Sequence, residues 1–244
     1  MNVSKLAENL AELLSFPVPT AQMIARSGRE QGVLSSGGRG RNAARATSKD
    51  AAYLLIAMMV AKTPARATEY MNDFGDLLKR SVYPEPFEGQ YKEEIQPLFV
   101  AGSSFVDGIA SLLDALGSEE FFDKIAPKFR VQKASKEGWG LPDHCPEMAI
   151  EIFETKYHAG ISFDKSYMLY LFEGKYITDR AGPFHDEGIS RWKDVSKKYH
   201  RLIHSSISVG PEVILALAGW LNGIRFDERL ICQTKSILSK RGDS

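Results

Sequence analysis

Leu6, Leu10, Leu13 and Leu14 recur at helical spacing in the first segment of the chain. Phe16-Pro17-Val18-Pro19 closes that helix, because proline cannot continue it. Thr20 to Gln31 predicts a second helix. Ala21, Ile24 and Ala25 fall on its inner face, Gln22, Arg26 and Arg29 fall outside, and Gly32 is placed to cap its C-terminus. Val33-Leu34 reads as a short buried strand. Ser35 to Asn42 holds three glycines and two arginines in eight residues; it cannot form a core and reads as a turn. Thr47 or Ser48 then caps a helix that is apolar almost all round, through Ala51, Leu54, Leu55, Ile56, Met58, Met59 and Val60. Such a helix belongs at the centre of its surroundings. Thr63-Pro64 opens another helix, expected to run to about Arg80, and Tyr83 to Gly89, with two prolines, is the best linker candidate.

Beyond it, Ser104 to Leu116 and Glu119 to Ile125 read as helices and Gly138 to Pro146 as loop. The period then changes from helical to two. Met148 to Thr155 and Tyr167 to Phe172 alternate, and with Ile161-Ser162-Phe163 and a turn at Ala159-Gly160 they predict an antiparallel meander of about three strands. Ile189 to His204 and Pro211 to Asn222 read as helices, the second with Pro211 at its first position, and the chain from Lys235 onward is polar. The expected fold class is α+β, with residues 1–82 forming a helical head and 83–244 a body of helices packed on a small antiparallel sheet.

Composition adds little until it is divided along the chain. With 244 residues, 43% hydrophobic and 25% charged, the sequence is ordinary for a globular protein. Two cysteines, Cys145 and Cys232, do not make a disulfide framework and point to a reducing, cytoplasmic setting. Glu8 and Glu12 argue against a signal peptide, and the longest apolar run, Ala51 to Ala61, is too short to span a bilayer. The formal net charge is zero, but residues 1–66 carry nine bases against four acids, and the remainder 22 against 27. Arg26 to Lys49 alone holds six bases and one acid, Glu30. A solvated face would mix signs, so this clustering points to a polyanion partner.

The order helix, turn, helix, Gly-Val-Leu, Gly/Arg loop, helix over Leu6 to Lys49, centred on PTAQMIARSGREQGVLSSGGRGRN, resembles the winged helix-turn-helix family of DNA-binding domains. The Ser48-Lys49-Asp50 start of the next helix is similar to the MerR-type variant. The resemblance covers about a quarter of the chain and stops near Pro64, after which no sustained heptads offer the family's long dimerising helix. It implies that Thr20, Gln22, Met23, Arg26, Ser27 and Arg29 lie on a recognition helix. Arginine can pair bidentately with guanine there, and glutamine with adenine. It also implies that Arg39, Arg41 and Asn42 form a wing reaching phosphates or the minor groove, and that Arg45 and Lys49 add backbone contacts.

Other chemistry is sparse. His200 and His204 have metal-ligand spacing, but Arg201 stands where a zincin pattern needs glutamate, and exposed helix histidines are the simpler reading. His144-Cys145 has no apparent orienting acid, and Glu151 and Glu154 read as strand-surface carboxylates. No phosphate-binding, dinucleotide or hydrolase motif occurs. The expectation is therefore a non-enzymatic, cytoplasmic regulator without cofactor or metal, binding double-stranded DNA as a homo-oligomer, most simply a dimer. Two alternatives differ in class: a phage-type packaging or assembly protein with the same head, and a protein-binding inhibitor or adaptor on the same fold.

Overall fold

The structure, a computed structural model, describes residues 1–37, 44–61, 63–83, 95–99, 103–118, 120, 148–153, 158–163, 168–173 and 207–223. Helix α1 (Val3–Leu13) starts at Asn2, whose side chain accepts from the Lys5 amide, and buries Val3, Leu6, Ala7, Leu10, Ala11 and Leu13 along one stripe. Its end is tight. The Ser15 N–H donates to the Glu12 carbonyl at 3.3 Å and the Phe16 N–H to the Ala11 carbonyl at 2.8 Å. This is the paired closure of a Schellman motif, with Ser15 in the left-handed region at φ 53°.

Helix α2 (Val18–Glu30) begins two residues earlier than its pattern predicts, because Pro19 sits in the first turn, where no N–H is required. It closes in the same way as α1: Gly32 (φ 74°) donates to Arg29, and Val33 to Gly28. The Leu34 N–H also goes to the Gly28 carbonyl. The strand expected at Val33-Leu34 is therefore absent, since the N–H groups a ladder would need are spent sealing α2. Leu34 is buried nevertheless, against the missing side chain of Gly28.

Helix α3 (Ser48–Val60) buries every residue except Lys49 and Tyr53. It packs against α1, α2, α4 (Ala67–Gly75), α5 (Phe105–Leu116) and α6 (Pro211–Asn222). The helix expected from Thr63 to Arg80 is broken. A 3-10 turn at Pro64–Arg66 leads into α4, which stops at Gly75, and β1 (Leu78–Tyr83) follows. A side chain at Gly75 would meet the Tyr53 ring at 2.8 Å, so the helix end lies flush on α3. Beyond it, a long-range partner strand wins over the local helical pattern.

That partner is β4 (Met168–Glu173), and the sheet runs β1-β4-β3-β2-β5, all antiparallel. β2 is Met148–Phe153, β3 is His158–Phe163 and β5 is Ile207–Val209. Five strands replace the expected three, because both edge strands come from segments distant in sequence. Ala159 and Gly160 lie inside β3, not in a turn: Gly160 stands opposite Glu151 on one side and Leu171 on the other. β2 alternates as predicted, with Met148, Ile150 and Ile152 buried and Glu151 on the other face. The helices expected at 104–116 and 211–222 form, the first over Phe105–Leu116 with Ser104 as its cap and the second opening on Pro211. Those expected over 119–125 (apart from residue 120) and 189–204, the loop over 138–146 and linker residues 84–89 lie outside the described residues.

The chain is thus α+β, with its helices gathered around α3. Buried residues on both sides of the boundary expected near residue 83 form one contiguous cluster, from Leu6, Leu54 and Phe74 to Phe105, Ile150, Ile161 and Leu217.

The two helix ends give a paired test. Replacing Ser15 by glycine should stabilise the protein by about 0.5–1 kcal/mol, because only glycine adopts the left-handed region without strain. Replacing Gly32 by alanine should cost about 1 kcal/mol, and purely through the backbone, since a Cβ there meets nothing within 4 Å. Urea denaturation of the two variants reads both signs; equal effects of the same sign would contradict the assignment.

Candidate nucleic-acid interface

The inner stripe of α2, Ala21, Ile24, Ala25 and Gly28, is buried. The opposite stripe carries Gln22, Met23, Arg26 and Glu30, all exposed. Met23, at 59% exposure, is one of two large hydrophobic residues left open among the described residues. Thr20, Ser27 and Arg29 are half-buried at the borders of this face.

The side chains on α2 are held by definite partners. Gln22 Nε2 donates to Glu8 Oε1 on α1 at 2.9 Å, and Lys5 Nζ lies 3.3 Å from Glu8 Oε2. Arg26 Nε donates to Glu30 Oε1 at 2.7 Å. Arg29 Nη1 donates to the Ser4 hydroxyl at 3.0 Å, and Ser27 shares a 3.2 Å hydrogen bond with Thr68. Hydrogen bonds from Gln22 and Lys5 hold the Glu8 carboxyl below its usual range, and the bond to Glu30 raises the Arg26 guanidinium further. The described part of the face therefore carries both signs, Lys5, Arg26 and Arg29 beside Glu8 and Glu30.

The Gly/Arg segment leaves and rejoins the helices at one carboxylate. Asp50, 2% exposed, accepts the Ser35 N–H on Oδ1 at 2.7 Å, and on Oδ2 the Thr47 N–H at 2.7 Å and the Thr47 hydroxyl at 2.8 Å. The Asp50 N–H returns to Thr47 Oγ1, completing a capping box. Asp50 thus pins both ends of the loop to the start of α3. Arg39, Arg41 and Asn42, expected in the wing, lie outside the described residues.

Arg45 and Lys49, expected to touch the DNA backbone, are engaged elsewhere. Arg45 Nη2 donates to the Leu221 carbonyl at the end of α6, and Lys49 Nζ pairs with Asp107 Oδ1 on α5 at 2.7 Å. Both line a cleft of about 600 Å³ with Asp107, Asp114, Ser111 and Asn222. The Ser48 hydroxyl donates to Asp114 there. Burial works upward on the Asp107 carboxyl, but hydrogen bonds from Lys49 and Ser104 outweigh it and leave it below its usual value. The same hydrogen bond and charge raise Lys49. The expected site thus divides: α2 keeps one group together, while Arg45 and Lys49 face α5 and α6.

Pattern reading found the α2 stripe but missed Glu8, Glu30, Asp50 and Asp107 as partners. The Arg26–Glu30 spacing of four was a usable signal. The Glu8 and Asp107 contacts depend on helix packing and left none. No cluster of potential metal ligands occurs among the described residues, and His144, Cys145, His200 and His204 lie outside them. No helix among the described residues is long and apolar enough to cross a membrane. Compared with family models, characterised proteins and solved structures, the chain matches none.

Two outcomes test this geometry. Replacing Asp50 by alanine should cost about 2 kcal/mol or more in denaturant unfolding, since it removes the carboxylate half of the capping box and leaves the Ser35 and Thr47 N–H groups without their acceptor. The second concerns pH. Asp107 titrates lower folded than unfolded, so its contribution is complete above about pH 4 and is lost as pH falls through the folded value. Lys49 is raised, so its contribution holds below the unfolded lysine value and is lost only as pH rises through the folded one. The Tm deficit of Asp107→Asn should therefore be constant from about pH 5 to 9 and should close below about pH 4. A deficit unchanged into strong acid would show that the charge contributes nothing.

Proposed function

We propose that the protein is a sequence-specific, double-stranded DNA-binding regulator, with α2 as the helix that enters the major groove. The observation that carries this reading is the α2 outer stripe. Gln22, Met23 and Arg26 stand exposed on a helix whose other side is sealed into the core, and Asp50 holds Ser35 and Thr47, which flank Arg39 and Arg41 in the sequence. Side chains able to contact base edges are thereby offered on a rigid support. The winged-helix resemblance supports the same reading, as does the concentration of basic residues between Arg26 and Lys49. A dimer binding two half-sites about one helical turn apart is the simplest assembly.

The ion pairs sharpen the electrostatic expectation. Lys49 is neutralised by Asp107, Arg26 by Glu30 and Lys5 by Glu8, and Arg45 is held by the Leu221 carbonyl, so phosphate contacts fall mainly to Arg39 and Arg41. Two such contacts would give a salt slope of roughly −2 per head. The test is a gel shift of the full chain on genomic fragments across a salt series. Arg26→Ala with Arg39→Ala should abolish preference for the bound fragments, and Arg39→Ala with Arg41→Ala should flatten the slope by about 2.

A second reading has one observation in its favour. The mixed charge of the α2 face and its exposed Met23 also suit a protein partner. Absence of any gel shift, or a shift indifferent to Arg26 and Arg39, would move the assignment there.

A further inference from the structure

We propose that Glu8 and Glu30 are positioning residues for base reading by α2: Glu8 sets the Gln22 amide for adenine, and Glu30 sets the Arg26 guanidinium for guanine. The inference rests on the DNA-binding reading above and names the target, a duplex presenting an adenine and a guanine within about two base pairs of one another.

The argument is stereochemical. Gln22 has one amide hydrogen engaged by Glu8 Oε1. The amide cannot turn over without setting its own oxygen against that carboxylate. With Glu8 taking the hydrogen anti to Oε1, as the proposal requires, the syn Nε2 hydrogen and the Oε1 lone pairs remain, a donor beside an acceptor. Adenine offers the complement in the major groove, the N7 acceptor beside the N6 donor. Glu8 stands on α1, fourteen residues from Gln22, and is itself paired with Lys5. The amide is thus oriented by a neighbouring helix as well as by its own backbone. The depressed Glu8 carboxyl keeps this acceptor ionised.

Arg26 is treated differently. Glu30 Oε1 occupies Nε at 2.7 Å, which removes the side-on edge of the guanidinium. The two Nη groups remain and present the end-on fork that fits guanine O6 and N7. Arg26 and Glu30 are on one helix four residues apart, and Gln22 and Arg26 are likewise four residues apart, a rise of about 6 Å. That separation matches bases one or two steps apart at about 3.4 Å each. Met23, open beside them, suits an apolar contact with a thymine methyl.

Two bare surface acids beside DNA would do something else. They would repel phosphate and weaken binding to every sequence alike. Selection from a randomised duplex pool separates the two roles, using the full chain and its Glu8→Ala, Glu8→Gln and Glu30→Ala variants. The wild type should enrich an adenine and a guanine within two base pairs. Glu8→Ala should lower the adenine preference at least about fivefold and spare the guanine. Glu8→Gln, whose amide oxygen can accept the same hydrogen bond, should restore it. Glu30→Ala should relax the guanine position alone. If the alanine variants instead raise affinity for all sequences by one factor, with preferences unchanged, the positioning role is overturned and DNA binding stands. If the wild type retains no duplex at low salt, the DNA-binding reading itself fails, and this inference with it.

Discussion

Helix α3 buries all of its residues but Lys49 and Tyr53, and the rest of the structure follows from that constraint. Burial of Leu54, Leu55, Ile56, Met58, Met59 and Val60 removes six large apolar side chains from solvent. At about 1.5–3 kcal/mol each, this is a gross stabilisation on the order of 10 kcal/mol. Only elements arriving from every side can supply it, so α1, α2 and α4 pack on α3 from within the first 82 residues, and α5, α6 and β5 pack on it from beyond. A helix of this kind ties head and body into one buried cluster.

The polar start of α3 is as constrained as its apolar body. Buried at its first turn, Asp50 must find donors, and it finds them at Ser35 and Thr47, the two ends of the Gly/Arg loop. The same turn sends Lys49 to Asp107 and Ser48 to Asp114. One helix N-terminus therefore both anchors the loop and joins it to α5. The orientation of α2 is set by the same packing, since its inner stripe has to meet α1 and α3. Its outer stripe is the remainder, and the proposed site is built on that remainder.

Charge reads differently in three dimensions than along the chain. Six bases between Arg26 and Lys49 look like a uniform patch in sequence. In the fold, Arg26 meets Glu30, Lys49 meets Asp107, and Arg45 meets a carbonyl of α6. Local excess identifies a basic segment; it does not say which of its charges remain open to a ligand. In the proposed site, the acids that hold Gln22 and Arg26 would restrict the geometries in which those side chains bind, and such restriction favours specificity over raw affinity.

The sequence by itself determined the elements whose signals are local. The α1 stripe, a cap for α3 at Thr47 or Ser48, Gly32 at the close of α2, Pro211 at the start of α6 and the alternation in β2 each depend on residues within a few positions of one another. The outward placement of Gln22 and Arg26 was legible for the same reason, helical period alone. Tertiary structure decided what depends on distant partners. It turned the end of a predicted helix into β1, because β4 offered a ladder. It placed Gly160 inside a strand, because two neighbours flank it, and cancelled a strand at Val33-Leu34, whose N–H groups went to α2. It also chose Glu8 for Gln22 and Asp107 for Lys49. Such pairings form only when separate elements pack, and no local pattern encodes which carboxylate will arrive.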